Sequence, residues 1–456
     1  MGRPNKNTAN ERCSTYLLFA VVVAAFGGFL YGFQTGVISG ALLFLSSSFH
    51  LNVIDEGMVV SILLIGGLFG SLIAGMLVDR IGRKWTMILT SLIFLIGPAV
   101  VSLCDSYEWL LLGRFIGGIG MGIIVIAAPL YLAETSPTAY RGAFVSLFQL
   151  AIAIGILFSF FVNYLFTESG DWRQMFAMGI VPALLQMLAL FFLPETPAWL
   201  FKHGLEKRAL KVLGKLRKDT HWKAQVEGMK TSSKAHKEGA WKFLFSSKLR
   251  MILVVGAVLC ALQQITGINV VIFYAPKIFE TAGFQSANSA VLATVGIGIV
   301  NTLATLLSVW LSNKVGRRTL LLIGAAGMGI SLVILSIAYF TNTRFIGDLS
   351  LSSLMAYVTF FAIGLGPITW VVLSEIFPLK VRGHAMTIAL SANWIGSFLV
   401  SLTFLDLIAI LGSSGTFLLY ALISGFAFWF IYHFIPETRG KTLEEIEKKI
   451  LSGHSF

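Results

Sequence analysis

Between Tyr16 and Leu45 thirty consecutive residues carry no charge. At 1.5 Å of rise per residue, a helix of that length crosses the ~30 Å hydrocarbon core of a bilayer with length to spare. Eleven further apolar stretches follow, so that the set reads 15–46, 56–78, 85–104, 109–133, 142–166, 173–193, 250–282, 288–312, 319–340, 350–376, 383–408 and 413–435. Hydrocarbon offers no partner to a backbone N–H or C=O, so spans of this pattern must bond internally as helices. Composition agrees: 56% of residues are apolar, only 12% are charged, and mean hydropathy is +0.82. The expectation is an all-α membrane protein of twelve transmembrane helices embedded in a lipid bilayer. Arg3, Lys6 and Arg12 precede the first run as they would in a signal peptide. That run is too long for a signal h-region, and it reads as a first, uncleaved span.

Lys and Arg fix the orientation. Arg80, Arg83, Lys84, Arg141, Lys314, Arg317, Arg318, Lys380 and Arg382 fall at one set of span ends, and Arg173, Lys277 and Arg344 at the other. The richer side is cytoplasmic, with both termini inside, in a cell (inner or plasma) membrane. The net charge of +12 thus reports topology, and no nucleic-acid partner is expected. The one long loop holds fourteen Lys/Arg against five Asp/Glu over 195–250. Its stretch Leu205–Leu216 has apolar residues at helical spacing, which predicts amphipathic helices beneath the membrane.

The chain repeats itself. Ala133–Gly142 (AETSPTAYRG) returns as Ser374–Gly383 (SEIFPLKVRG) at an offset of 241. Asp79–Lys84 (DRIGRK) returns as Asn313–Arg318 (NKVGRR) at 234, and Pro194-Glu195-Thr196 as Pro436-Glu437-Thr438 at 242. A shared offset across three motifs marks a duplication, with two six-helix halves as parallel repeats and a solute path between them. The predicted domains are 1–194, a cytoplasmic helical linker 195–249, 250–436, and a tail 437–456. Asp79, Arg83, Glu134, Arg141, Glu195, Arg317, Glu375, Arg382 and Glu437 lie at one depth. Pairs that form in one state and break in another would let them lock the cytoplasmic side.

The spans carry polar residues that lipid would reject. Gln263, Gln264 and Asn269 sit in Leu262–Pro276 (LQQITGINVVIFYAP), where Gly267 loosens the helix. Gln264 and Asn269 are five apart, about 500° of rotation, so they lie within roughly 140° of each other. Gln34, Gln149, Asn301 and Asn393 are amides at mid-span elsewhere. Gly364–Trp370 (GLGPITW) predicts a helix break at Pro367 with Trp370 beside it, and Asn393 is followed by Trp394. Arg114 falls several residues into the fourth span, where a cation needs a partner or a cavity unless it snorkels outward. Taken singly, each amide is as well explained by helix packing. Taken together they suit a neutral polyhydroxyl solute, because an amide donates and accepts as a hydroxyl does. Trp offers its flat face to the C–H side of a sugar ring. A hexose of about 12 heavy atoms would bind at about mM, weakly enough to leave. No nucleophile–base pair, phosphate loop or metal-ligand spacing is present, so neither an enzyme nor a cofactor is expected. Cys13, Cys104 and Cys260 read as small apolar residues.

Arg114–Gly122, Pro194–Pro197, Gln263-Gln264 with Gly267-Ile268-Asn269, Val300–Thr302 with Gly316-Arg317-Arg318, and Pro436–Gly440 together resemble the sugar porter family of the major facilitator superfamily. The resemblance covers essentially the whole chain and implies monosaccharide transport (a hexose such as glucose, or xylose) by alternating access. It implies sugar contacts from Gln149, Gln263, Gln264, Asn269, Asn301, Trp370 and Asn393, and gate positions for Tyr274 and Trp394. Three departures stand out. Gln34 occupies a position that is Asp in proton-coupled members, paired there with the Arg of the fourth span; facilitative animal glucose transporters have Asn. Ala198 replaces a usual Arg, and Asn313 replaces a usual acid. No acid or His stands at mid-span, and Arg114 stays protonated. Gln34 and Arg114 therefore mark a coupling position without a proton carrier, and the expectation is a uniporter that functions as a monomer. The alternatives are a symporter using an end-of-helix carboxylate and a sugar sensor, for which the 437–456 tail is short.

Overall fold

The computed structural model describes residues 14–137, 140–216, 247–378, 381–439 and 445. Lys380, the side chain of Asn313, most of the linker beyond Leu216 and most of the tail lie outside the described residues. Most of the rest is helical. The first five spans are α1 (Thr15–Ser48), α2 (Val53–Arg80), α3 (Arg83–Leu103), α4 (Tyr107–Thr135) and α5 (Arg141–Thr167). The sixth is α6 (Trp172–Ala177) with α7 (Ile180–Phe191), and α8 (Pro197–Lys202) and α9 (Glu206–Leu216) begin the linker. The second half contains α10 (Ser247–Ile265), α11 (Ile268–Thr281), α12 (Ala287–Lys314), α13 (Arg317–Thr341), α14 (Ile346–Ile363), α15 (Leu365–Ile376) and α16 (Arg382–Phe434).

Eleven stretches among the described residues are long and apolar enough to cross a membrane. The twelve spans are recovered because α16 bends at Gly412 (φ 70°, ψ 169°), which divides its 53 residues into two crossings. The tenth span does break, but at Gly364 (φ −106°, ψ −96°) rather than at Pro367. The reason is steric. A Cβ on Gly364 would stand 2.8 Å from the Gly324 Cα, so the two backbones touch there. Pro367 falls in the first turn of α15, where an N–H has no intrahelical acceptor to lose.

Local chemistry sets several helix starts. The Ser14 hydroxyl accepts from the Leu17 N–H, and Asn52 with Asp55 forms a capping box on α2. Small residues set the packing. A Cβ at Gly32 would lie 2.0 Å from the Ile152 carbonyl, and one at Gly118 would lie 2.0 Å from that of Leu63. Only bare backbone permits α1 on α5 and α2 on α4 at these distances. The linker helix α9 buries Ala209, Leu213 and Leu216, and the Ser14 hydroxyl also reaches the Lys215 and Leu216 carbonyls at 3.0 and 2.9 Å. The amphipathic helix expected at 205–216 is present.

Within the first half the main packing is α1 on α5, α2 on α4 and α3 on α4; within the second it is α13 on α16, α10 on α16 and α13 on α14. The halves meet where α2 crosses α16, α5 crosses α12 and α1 approaches α11. The amide-bearing helices therefore line one central seam.

Candidate functional site

The seam is organised around the break between α10 and α11. Thr266 and Gly267 leave the helix there, with Gly267 at φ +99°, a left-handed conformation that costs a residue with a Cβ about 1–2 kcal/mol. The Tyr357 hydroxyl braces the break by donating to the Thr266 carbonyl at 2.9 Å. Gln263, just before it, has Nε2 donating to the Leu365 and Gly366 carbonyls, both at 2.8 Å. These lie at the start of α15, so one amide ties the seventh-span break to the tenth-span break. Its Oε1 accepts from Asn393 Nδ2 at 2.8 Å and from Gln264 Nε2 at 3.5 Å. Asn269 Nδ2 in turn donates to Gln264 Oε1 at 2.9 Å and to the Ser397 hydroxyl. Asn393, Gln263, Gln264 and Asn269 thus form one hydrogen-bonded chain across α16, α10 and α11.

That chain divides the amides by spare capacity. Gln263 is buried and has both amide protons and its oxygen engaged. Asn269 and Asn393 use their donors in such bonds, and no described residue donates to their side-chain oxygens. Gln149 and Asn301 are half-buried, and no bond to a described residue occupies either side-chain amide. They lie at similar depth on contacting helices: Thr302 bonds the Ala153 carbonyl at 3.3 Å, one residue from Asn301 and one turn from Gln149. Trp370 is half-buried against the apolar core. Trp394 is buried and crosses the seam: a Cβ on Gly67 would stand 2.5 Å from its ring, the Tyr31 ring lies 6.3 Å away, and its Nε1 has no partner among the described residues.

Arg114 does not snorkel. It is 1% exposed, and its guanidinium donates to the Val59 carbonyl at 3.2 Å, the Gln34 backbone carbonyl at 3.2 Å and the Val60 carbonyl at 3.5 Å. The Phe176 ring lies 5.8 Å away. The Gln34 side chain, also buried, rests against Gly117 of α4. The cation is held by backbone dipoles, and no carboxylate among the described residues pairs with it.

The charge clusters at the basic face show the duplication residue for residue. In the first half Arg83 binds Glu134 at 2.7 Å, its N–H donates to Glu195 at 2.9 Å, and Thr196 donates to Glu134 at 2.5 Å. In the second half Arg317 binds Glu375 at 3.4 Å, its N–H donates to Glu437 at 2.9 Å, and Thr438 donates to Glu375 at 2.5 Å. Burial pushes the Glu195 carboxyl up, against the pull of the Thr196, Lys84 and Arg83 N–H groups. Asp79 is exposed, 3.6 Å from Arg83 and 3.0 Å from Lys202. Arg382 donates to its own Phe377 carbonyl, and Arg141 is exposed and makes no ion pair with a described residue. Each paired cluster lies within one half, whereas a lock across the seam would need partners from both.

The opposite face is closed. Tyr274 is fully buried and its hydroxyl donates to the Ser401 carbonyl at 2.8 Å. A Cβ at Gly57 would stand 2.8 Å from the Leu402 carbonyl. Sequence reasoning missed four polar residues here. Glu56 and Lys277 pair across the seam. Gln186 accepts from Ser91 at 3.3 Å and donates to Val23 at 3.5 Å, and Asn163 reaches the Gly36 carbonyl at 3.5 Å. The last two are amides spent on packing. Their position in apolar spans was the available signal.

The profile of the family described as "Sugar (and other) transporter" matches residues 20–450. The chain belongs to the sugar transporter family. Within that family it is 38% identical over 444 residues to the glucose transporter GlcP of Staphylococcus epidermidis, covering 96% of this chain and 98% of that one. It is 36% identical over 459 residues to the arabinose-proton symporter of Bacillus subtilis, covering 98% and 97%. The inward-open structure of the xylose transporter XylE from Escherichia coli superposes with a TM-score of 0.82 at 32% identity, over 95% of this chain and 99% of that one. Sugar transporters with and without a proton in their names are thus comparably similar to this chain.

Proposed function

We propose that this sugar transporter is a facilitative monosaccharide uniporter working by alternating access between the halves 1–194 and 250–436. The observation that carries the uniport reading is the caging of Arg114 by three backbone carbonyls with Gln34, which does not titrate, at its side. Coupling requires a group that changes protonation with solute occupancy, and this centre has none. The positive-inside rule makes the basic face cytoplasmic and the closed face external. The state is then inward-facing, a reading supported by the likeness to inward-open XylE.

The sugar lies in the seam against Gln149, Gln264, Asn269, Asn301 and Asn393, with Trp370 under its ring. Gln263 acts as the hub that orients Gln264 and Asn393, because its own bonds are taken. Tyr274 and Trp394 belong to the gate, and the paired charge clusters brace each half.

Radiolabelled glucose and xylose uptake into proteoliposomes, with and without an imposed proton gradient, tests the reading. Uptake should equilibrate without accumulation, the gradient should change nothing, and Gln34→Asp should introduce a gradient effect. Accumulation by the wild type would overturn uniport. Glu56 would then be the first carboxylate to replace.

A further inference from the structure

Among the described residues one ion pair joins the two halves. Glu56, in the first turn of α2, binds Lys277 of α11, 221 positions away in sequence. The other ion pairs between described residues (those of Arg83, Arg173, Lys202 and Arg317) stay inside one half or tie the linker to it. Glu56 is 6% exposed, which is uncommon for a carboxylate unless a partner compensates its lost hydration. Lys277 is that partner, and it keeps part of its side chain in water.

The surroundings tie this pair to opening and closing. Gly57, the next residue, presses on the Leu402 carbonyl, and Tyr274, three residues before Lys277, bonds Ser401. The first joins the two halves, so it must part for sugar to enter from outside; the second fixes α11, which carries Lys277, to α16 of the same half. Val59 and Val60, one turn after Glu56 on α2, cage Arg114. Pulling Glu56 outward therefore also strains the seat of that cation.

We infer that Glu56 and Lys277 form an external interlock, a positioning pair that stabilises the outward-closed state and parts when the transporter faces out. Parted, each charge is solvated on its own. Together, both are held in a half-dry seam where attraction is screened less than at a free surface. The pair thus adds its stabilisation to one conformation only, which is the condition for shifting an equilibrium. Neither residue needs to touch sugar.

Spin labels on the exposed external positions Ser169 and Gln285, introduced as cysteines in a chain with Cys13, Cys104 and Cys260 replaced by alanine, report the distance between the halves. Glu56→Gln and Lys277→Met should each raise the longer-distance, outward-open population several-fold. The exchanged double variant E56K/K277E should restore the parent distribution. The sidedness of transport should follow: the external KM falls and the internal KM rises, because apparent affinity scales with the fraction of the competent state. A merely structural defect would lower kcat without splitting the two KM values. Unchanged distance distributions in both single variants would overturn the interlock. The distances are read without sugar or a gradient, so this outcome is independent of whether uniport holds.

Discussion

At the scale of single residues, function rests on which hydrogen-bonding valences are left over. Gln263 spends all of its capacity on fold, so Gln263→Leu should strand a donor on Asn393 and cut the tie from α10 to the start of α15. A stranded buried group costs about 1–3 kcal/mol. The expected result is a lower melting temperature in detergent together with weaker glucose binding, both measurable on the purified protein. Gln149→Ala should leave the melting temperature nearly unchanged and raise KM, since its amide has no bond with a described residue to lose. Arg114→Lys keeps the charge and loses the planar fork that reaches three carbonyls. Uptake should fall more than tenfold, while a carboxylate added at position 34 should recover part of it. Much of this was legible in the sequence. An amide inside an apolar run has to be explained, and five of the seven amides singled out lie on helices where the halves meet, the other two, Gln263 and Gln264, standing beside the α10–α11 break. The division into spent and spare valences was not legible, because it depends on partners more than one hundred positions away, as with Gln263 and Leu365. Glu56 and Lys277 escaped for a different reason: each stands near a span end, where a charge usually needs no explanation.

At the scale of helices, the interruptions are where sequence reasoning was both strongest and least exact. Gly267 was readable as a weak point between Gln264 and Asn269, and the structure puts a left-handed residue there. Gly267→Ala combines that strain with a Cβ 3.2 Å from the Tyr420 ring. It should lower the transport rate and the melting temperature together, the latter by about 1–2 kcal/mol equivalent. In the tenth span the more conspicuous breaker misled. Pro367 is tolerated in a first turn, and the break fell three residues earlier, where Gly324 on a neighbouring helix demands the approach. No local signal separates these outcomes, because the deciding contact is between helices. The break in the sixth span at Met178–Gly179 is likewise followed by a proline in the next first turn, Pro182 in α7, placed as Pro367 is after Gly364.

At the scale of the whole molecule, the duplication was read from three short motifs, and the structure shows why they persisted. Each motif pair builds the same joint, with Arg, two Glu and Thr closing onto a bare glycine. Gly82 and Gly316 leave room for the Glu195 and Glu437 carboxylates, which a Cβ would approach to 2.2 and 2.1 Å. With each half braced internally, opening and closing is expected as a movement of two stiff bodies over the contacts of α2 with α16 and of α5 with α12. Gly57→Leu should obstruct the closed external contact at Leu402. Sugar binding from outside should survive, while net uptake into vesicles is lost.

The paired joints also bear on how the polypeptide could be divided. Neither cluster borrows a side chain from the other, and Ser14 fastens the linker helix α9 to the amino-terminal portion. A gene severed between the codons for Leu216 and Ser247 would therefore yield two fragments that each keep their own brace. Co-expressed, these fragments should reassemble into an active carrier, whereas a cut between Arg83 and Glu134 should leave both pieces unable to complete theirs.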